Sequence, residues 1–337
     1  MKVLLIGGTG TISTDVTRLC ITKGWDVTLI NRGNKNHDMP VSQWSFDIND
    51  ESAILAMLEG EHFDVVANFI NYTIDQVERD IRLFSDKTDQ YIFISTASAY
   101  QKPRIHYMTT ESTVLSNPYW EYSRDKIACE ERLVDEYRQN GFPITIVRPS
   151  HTYDEKKIPI SIHGGKGAWS TLKRIMEGKP VLVPGDGATC WPITHSSDFA
   201  KGFVGLMGKS SAIGEAVHIT SDEALCWNQL YAIIGKALGV EPKLAHVSTD
   251  FIVAARPSYE GPLHGDKSVN VIFDNSKIKR LVPDFVATVS ADQGLRMAVD
   301  YHLNNPAAQV EDPDFDHFTD VIIQAQMEAV DRVRELL

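Results

Sequence analysis

The sequence predicts an α/β fold: a doubly wound parallel sheet with a smaller C-terminal lobe. The first observation behind this prediction is a glycine-rich turn that follows an apolar segment at the N-terminus. The second is the alternation of strand-like and helix-like segments in the first half of the chain. Strand patterns occupy residues 3–6, 27–30, 43–46, 65–69, 91–95 and 144–147. Strands separated by helices pair in parallel, so we expect helices on both faces of the sheet.

The N-terminal turn has the composition of a phosphate-binding loop. An apolar strand at 3–6 leads into Gly7-Gly8-Thr9-Gly10-Thr11-Ile12-Ser13, and a helix is predicted over 14–23. Glycines allow a tight turn and a close approach of the backbone to a pyrophosphate at the helix N-terminus. Ser13 stands where a third glycine is usual. The segment therefore predicts a dinucleotide-binding unit with one departure from the usual pattern.

The end of the second strand bears on cofactor choice. Asn31 and Arg32 stand there, where an acidic residue normally accepts hydrogen bonds from the adenosine ribose of NAD. An arginine can instead pair with the 2′-phosphate of NADP. We therefore expect NADP to be favoured over NAD.

Tyr122 and Lys126 lie four residues apart in a predicted helix over 122–140, so their side chains share one face. An ammonium near a phenol favours the phenolate, which suits the tyrosine to exchange protons with a substrate hydroxyl or carbonyl. Tyr153 and Lys157 have the same spacing, but nearby prolines exclude a helix there. We do not expect that second pair to align.

Hydroxyl groups follow the strand predicted at 91–95. Thr96 and Ser98 come directly after it, and the carboxyl ends of parallel strands face the cofactor crevice. Either hydroxyl could hydrogen-bond a substrate oxygen as charge develops on it, or could cap the local backbone instead.

Composition narrows the partner classes. The 337 residues carry a formal net charge of −12, which disfavours nucleic acid and anionic membranes. The four cysteines are widely spaced, so we expect reduced core thiols and no metal site. No apolar segment approaches the roughly 20 residues that span a bilayer, and no secretory signal is evident. We expect a cytoplasmic protein that binds a small-molecule substrate.

The pattern changes after Pro149. We predict a dinucleotide-binding domain over 1–150, a substrate lobe over 151–310 that interleaves with late sheet strands, and a C-terminal helix over 311–337. That helix carries an apolar stripe, which packs on its own domain or mediates a homo-oligomer. The stripe consists of Phe318, Val321, Ile322, Ala325, Ala329, Val330, Val333 and Leu337.

Several motifs, in their order along the chain, resemble one known family. They are residues 7–13, 47–48, 68–69, 95–100, 122–126, 148–150, 185–187, 195–200 and 274–277. The chain resembles the extended short-chain dehydrogenase/reductases, also called the NAD-dependent epimerase/dehydratase family, over nearly its whole length. The resemblance implies a Rossmann fold and hydride transfer between nicotinamide and a substrate carbon.

The resemblance also implies roles for individual residues. Tyr122 would be the general acid/base, Lys126 would lower its pKa and hold the nicotinamide ribose, and Thr96 would assist, with Ser98 the second choice. The implied cofactor contacts are Gly7, Thr9, Gly10, Thr11, Ile12, Asn31, Arg32, Asp47, Ile48, Asn68, Phe69, Lys126, Pro149 and His151. Among these, Asp47 would reach the adenine amine and Pro149 the nicotinamide. The implied substrate contacts are Ser98, His151 and Trp191.

Departures from the family pattern limit the substrate. Sugar-nucleotide members usually hold the diphosphate with two arginines, and Trp191 and Leu263 occupy those positions here. Dehydratases carry a carboxylate where Ala97 stands. The expected activity is therefore reduction, oxidation or epimerisation of a sugar, a sugar derivative or another small carbonyl or hydroxyl compound. The alternative is a non-catalytic dinucleotide-binding sensor or RNA-binding protein of the same fold.

Overall fold

The computed structural model describes residues 1–32 and 39–337. Its strands are β1 Lys2–Ile6, β2 Asp26–Asn31, β3 Ser42–Ser45, β4 Val65–Asn68, β5 Tyr91–Ile94, β6 Met108–Thr109, β7 Ile144–Pro149, β8 His151–Tyr153, β9 Val181–Pro184, β10 Ile193–His195, β11 Ala216–Ile219, β12 Leu244–Val247 and β13 Ile272–Phe273. Its α-helices are α1 Ser13–Thr22, α2 Glu51–Met57, α3 Ile74–Phe84, α4 Glu121–Asn140, α5 Trp169–Met176, α6 Ser196–Leu206, α7 Trp227–Leu238, α8 Thr249–Ala255, α9 Glu260–Pro262, α10 Ser276–Leu281, α11 Ala291–Asn304 and α12 Pro313–Leu336.

Seven of the described strands form one parallel sheet in the order β11-β7-β5-β4-β1-β2-β3. The chain runs outward from β1 to β3 and then returns to β4 on the other side of β1. Ligands of such sheets bind at the carboxyl ends of the strands where the order reverses. The doubly wound fold is confirmed, and all six predicted strands lie within two residues of observed ones.

The central strands are buried on both faces, as their continuous apolar sequences predict. In β1, Val3 and Leu5 pack in a core with α1 and α6, while Leu4 and Ile6 pack in a second core with α2, α3 and α4. Alternate side chains of a strand point to opposite faces, so one short segment anchors both helix layers. The glycine-rich turn at its end is thereby held in place.

The second half of the chain builds a smaller lobe and also completes the sheet. The strand pairs β8–β10, β9–β12 and β6–β13 surround a separate core that contains Trp169 and Trp227. Strand β11 leaves this lobe and pairs in parallel with β7 at the edge of the main sheet. The boundaries at 150 and 310 stay a prediction.

The C-terminal apolar stripe is buried at Phe318 and Ile322, whereas Val321 is 51% exposed. Phe318 and Ile322 are buried with Phe315 in a small core beside β9 and β12, whereas Val330 and Val333 are 44% and 54% exposed. In the described residues, no helix is both long and apolar enough to cross a membrane.

Two cysteines differ from the expectation of core thiols. Cys20 and Cys129 are buried, but Cys190 and Cys226 are only half-buried and face each other in an isolated antiparallel β-bridge. Their wide separation in sequence concealed this, because the bridge forms between two loops of the lobe.

Candidate active site

The N-terminal loop is closed by the side chain that replaces the third glycine. The Ser13 hydroxyl donates a hydrogen bond to the Gly7 carbonyl at 2.6 Å and accepts one from the Gly10 amide at 2.8 Å. Gly7 adopts a φ of +80°, which glycine tolerates without strain. Ser13 therefore supports the turn from inside.

Close packing of helix on strand depends on Gly8, which sequence analysis did not single out. A Cβ atom on Gly8 would lie 2.6 Å from Leu29 Cδ2 and 3.0 Å from Thr17 Oγ1. The Thr17 hydroxyl also donates to the Gly8 carbonyl at 2.8 Å. The loop thus meets α1 and β2 with no room for a side chain at this position.

The N-terminus of α1 is suited to phosphate. Its cap residue, Ile12, has helical φ and ψ and forms no side-chain cap hydrogen bond. The first amides of a helix have no acceptor within the helix, although the Thr14 amide donates to the Gly10 carbonyl at 3.0 Å. A Cβ on Gly10 would meet only Ser13 Oγ, at 3.4 Å, which leaves the backbone open to a close ligand. Free amides and the helix dipole together stabilise a pyrophosphate.

A cavity of about 470 Å³ opens beside this loop. Its lining includes Gly7, Thr9, Gly10, Asn31, Arg32, Asp47 and Ile48, all predicted cofactor contacts. The side chain of Asp47 accepts hydrogen bonds from the Asn49 backbone and side-chain amides at 2.9 and 2.8 Å. This lining fits the adenosine half of a dinucleotide.

Asn68 and Thr11, two further predicted contacts, line neither this cavity nor the next one. The Asn68 amide lies beneath the crevice, where it donates to Asn71 Oδ1 at 3.0 Å and to Asp80 Oδ2 at 2.5 Å. Tyr91 also donates to Asp80, at 2.6 Å. Asn68 thus belongs to a buried polar cluster under the sheet edge.

A second cavity, also of about 470 Å³, brings the other predicted residues together. Its lining includes Ile12, Phe69, Thr96, Ser98, Tyr122, Lys126, Pro149, His151 and Trp191. Tyr72 lines both cavities, so they adjoin. A ligand that extends from the first cavity would reach Tyr122 in the second.

The hydroxyl groups behind Thr96 form a chain. Thr96 Oγ1 lies 3.0 Å from Ser98 Oγ, which lies 2.7 Å from Ser123 Oγ on α4. The Thr96 side chain also accepts from the Ser98 amide at 3.2 Å. Thr96 thus caps the local backbone and also lines the cavity. The hydrogen-bonded hydroxyls of Ser98 and Ser123 hold its oxygen in place.

The pKa of Tyr122 is raised, whereas the sequence predicted that Lys126 would lower it. Burial raises it to about 12, and a polar interaction with Thr96 lowers it only in part. The phenol lies in an aromatic environment, with the Trp120 ring centroid 5.0 Å and the Tyr72 ring centroid 6.3 Å from its own. The neutral phenol is therefore the stable form.

Lys126 does not stabilise the Tyr122 phenolate here, because other groups hold its ammonium. Nζ donates to the Ile94 carbonyl at 2.7 Å and also to the Asn71 carbonyl, and it lies 6.0 Å from the Tyr122 ring centroid. Burial lowers the pKa of Lys126 to about 8. Sequence spacing placed both side chains on one face correctly, but it could not show which acceptors surround the amine.

His151 is paired with Trp191, a predicted substrate contact. The indole Nε1–H donates to His151 Nδ1 at 3.2 Å, and burial lowers the pKa of His151 well below its usual value. The ring is therefore neutral and carries its proton on Nε2. Leu263, at the second arginine position, also lines this cavity.

Sequence analysis missed several other residues of this cavity, among them Tyr72, Trp120, Lys157, Asp266 and Lys267. Lys157 lies outside any helix, as expected, yet it still reaches the cavity. In the part of the chain that the structure describes, no three His, Cys, Asp or Glu side chains group as a metal ion would require.

Comparison with known proteins now decides the family. The profile of the NAD dependent epimerase/dehydratase family matches residues 3–220. The chain belongs to this family. The resemblance drawn from its motifs is confirmed.

Relatives in the family have diverse names. The chain is 26% identical over 261 residues to chloroplast stem-loop binding protein of 41 kDa b from Arabidopsis thaliana, covering 73% of this chain and 65% of that one. It is 24% identical over 291 residues to 2'-dehydrokanamycin reductase from Streptomyces kanamyceticus, covering 85% of this chain and 80% of that one. It is 29% identical over 244 residues to the uncharacterized UDP-glucose epimerase YtcB from Bacillus subtilis, covering 72% of this chain and 69% of that one.

Solved structures share the fold. UDP-glucuronic acid 4-epimerase from Bacillus cereus, in complex with UDP-glucuronic acid and NAD, superposes with a TM-score of 0.70 at 19% identity, over 89% of this chain and 98% of that one. dTDP-glucose 4,6-dehydratase from Bacillus anthracis, in complex with NAD, gives a TM-score of 0.72 at 17% identity, over 91% and 98%.

Proposed function

We propose that this protein is an NAD(P)-dependent oxidoreductase or epimerase that acts on a sugar, a sugar derivative or another small carbonyl or hydroxyl compound. One observation carries the proposal: Tyr122, Lys126 and Thr96 line one cavity that adjoins a loop and helix terminus suited to a dinucleotide. This arrangement combines a cofactor site with a proton donor.

Residues of the first cavity would hold the dinucleotide. The amides at the start of α1 would bind the pyrophosphate, and Asp47 and Ile48 would contact the adenine. Arg32 is exposed at the rim and could pair with a 2′-phosphate, which supports NADP over NAD. When bound, the nicotinamide supplies the hydride acceptor or donor.

The protein's own part is to move a proton. A Tyr122 phenol with a pKa of about 12 remains protonated at neutral pH, so it can donate to a carbonyl oxygen as that oxygen gains charge. Thr96 can hydrogen-bond the same oxygen. Lys126 is held by the Ile94 and Asn71 carbonyls, and its proposed role is to hold the nicotinamide ribose. These features suit reduction of a carbonyl compound.

The cavity wall disfavours a nucleotide-sugar substrate. Trp191 and Leu263 replace the two arginines that would hold a diphosphate through charge-assisted bonds. Relatives named as a dehydrokanamycin reductase and a UDP-glucose epimerase make sugars and sugar derivatives the first compounds to test.

A second candidate function is RNA binding without turnover, because one relative is named a stem-loop binding protein. The net charge of −12 opposes it, since RNA affinity depends on Lys and Arg contacts to phosphates. The presence of Tyr122, Lys126 and Thr96 in one cavity also argues against it, because RNA binding does not need a proton donor there.

Tyr122→Phe tests the catalytic proposal. With NADPH and a panel of sugar aldehydes and ketones, the variant should lose about 10²–10⁴-fold in turnover, the range of general acid catalysis. NADPH binding, followed by its fluorescence, should change little. Tyr107→Phe is the matched control, because Tyr107 is 75% exposed and lines neither cavity. Equal turnover of both variants, or RNA binding without any turnover, would contradict the proposal.

A further inference from the structure

The second cavity contains a group of basic side chains, two lysines and two histidines, that the mechanism above does not use. Lys157, Lys267, His151 and His163 all line it. Both lysines lower the pKa of His151 and of His163, so the four groups lie close enough to interact. Lys157 also lowers the pKa of Lys267, which burial brings to about 8.

Lys267 follows Asp266 in sequence and interacts with it, but neither Lys267 nor Lys157 has a carboxylate of the described residues within ion-pair distance. Among residues 1–32 and 39–337, neither ammonium group forms an ion pair or a hydrogen bond. The carboxylates nearest to Lys157 in sequence interact elsewhere: Asp154 with Lys156, and Glu155 with His195 at 3.6 Å. Lys157 therefore presents an uncompensated charge to the cavity.

A single carboxylate, Asp266, interacts with several basic side chains around Lys267. Asp266 lines the cavity and interacts with Lys102, Lys267 and Arg104. Lys102 Nζ and Asp266 Oδ1 are buried and have no hydrogen-bond partner within the described ranges, and the same is true of two nitrogens of Arg104. Lys102 and Asp266 are only 3% and 8% exposed. Among the described residues that line the cavity itself, three lysines (Lys126, Lys157 and Lys267) stand beside one carboxylate (Asp266), although the whole chain has a formal net charge of −12.

Such an arrangement does not stabilise the fold. Burial disfavours the charged form of Lys267, and the nearby positive charge of the exposed Lys157 raises the cost further. An anionic ligand between Lys157 and Lys267 would offset both effects. The positive charge of the two lysines would also attract an anionic ligand into this cleft of an acidic protein.

We propose that the part of this cavity formed by Lys157, Lys267 and His163 binds a carboxylate or phosphate group of the substrate. The substrate is then a small anionic carbonyl or hydroxyl compound, and this identification rests on the proposed function, in which Tyr122 protonates its oxygen. The site is separate from the dinucleotide cradle, because neither lysine lines the first cavity.

Lysine chemistry suits this role. An ammonium is a compact point charge that binds carboxylates and phosphates without the fixed bidentate geometry of arginine. A single anionic group therefore fits this site better than the diphosphate that two arginines hold in sugar-nucleotide members.

Thermal unfolding in the presence of simple anions tests the proposal without any turnover. The whole protein, saturated with NADP⁺ to occupy the first cavity, is titrated with inorganic phosphate or malonate at constant ionic strength. A ligand that binds only the native state raises the midpoint as its concentration exceeds Kd. The variants are Lys267→Gln and Lys157→Gln, and the matched control is Lys156→Gln, since Lys156 is exposed and lines neither cavity.

The wild type and Lys156→Gln should be stabilised equally, whereas Lys267→Gln and Lys157→Gln should need at least ~10-fold more anion for the same shift. Stabilisation by phosphate alone would identify a phosphorylated substrate, and stabilisation by malonate alone a carboxylated one. An absent shift in the wild type, or equal shifts in all variants, overturns the proposal. If Lys267→Gln fails to fold, the exposed Lys157 decides the outcome.

The Tyr122→Phe variant separates this inference from the proposed function. If it abolishes turnover but the wild type shows no anion-dependent shift, the enzyme assignment stands and the anion site is wrong. If the lysine-dependent shift is present but Tyr122→Phe retains full turnover, the anion site stands and the proposed chemistry is wrong.

Discussion

The indole Nε1–H of Trp191 donates a hydrogen bond to Nδ1 of His151 at 3.2 Å. This contact fixes the imidazole tautomer, because an Nδ1 that accepts leaves the proton of the neutral ring on Nε2. Trp191 thus orients a neighbouring donor in the wall of the second cavity.

Trp191→Phe keeps an aromatic ring in the wall but removes the donor. The neutral form of His151 then loses a hydrogen bond, so the pKa of His151 should rise from its low value. An NMR titration of the histidine ring protons measures this, with Trp25→Phe as a control outside both cavities. An unchanged or lower pKa would show that the hydrogen bond does not set the protonation of His151.

Gly8→Ala should destabilise the protein by about 1–3 kcal/mol, because the new methyl group would meet Leu29 Cδ2 at 2.6 Å. Urea unfolding measures the change in the free energy of unfolding. Gly165→Ala is the control, since a Cβ there meets nothing within 4 Å. Equal stabilities of the two variants would mean that α1 can shift away from β2 at little cost.

Arg32→Ala should weaken NADP⁺ binding by about 10–100-fold and leave NAD⁺ binding nearly unchanged, because a charge-assisted bond to the 2′-phosphate is worth roughly 1.5–3 kcal/mol. Calorimetric titration of the wild type and the variant with NAD⁺ and with NADP⁺ measures the two dissociation constants. Arg138→Ala, on α4 and outside both cavities, is the control. Comparable wild-type affinities for NAD⁺ and NADP⁺ would refute the expected preference.

Lys126 should make stability depend on pH in the alkaline range. Burial lowers its pKa from 10.5 to about 8, so between these values the unfolded chain binds a proton that the folded chain has released. Stability from this group therefore rises with pH above about 8 and is least below it.

Lys126→Met removes that contribution. The unfolding free energy of the wild type, relative to the variant, should increase between about pH 8 and pH 10. Urea titrations at both pH values measure the difference, and Lys156→Met should show no such trend. A difference that is independent of pH would mean that the Lys126 pKa is not lowered.

The parts of the site that follow from local pattern were predictable from sequence. Gly7 and Gly10 end a strand and open a helix, and Tyr122 and Lys126 share a helix face, so their positions relative to one cleft follow from short-range geometry. Thr96 follows from the rule that parallel strands present their carboxyl ends to the crevice.

The parts that depend on tertiary packing were not predictable. Lys157 lies in a loop and Lys267 in a short π-helical segment, Leu263–Lys267, and only the folded lobe brings them together. The direction of the Tyr122 pKa shift was predicted wrongly for a similar reason. The carbonyls that accept hydrogen bonds from Lys126 and the rings that bury the phenol come from distant elements.

The return of β11 to the main sheet has a practical meaning for protein engineering. A cut at the predicted boundary near residue 150 would remove the neighbour of β7 and leave an apolar strand edge unprotected. The C-terminal lobe therefore cannot be exchanged as a unit without removing a strand of the main sheet. Specificity borrowed from another family member has to be grafted one loop at a time onto an intact scaffold.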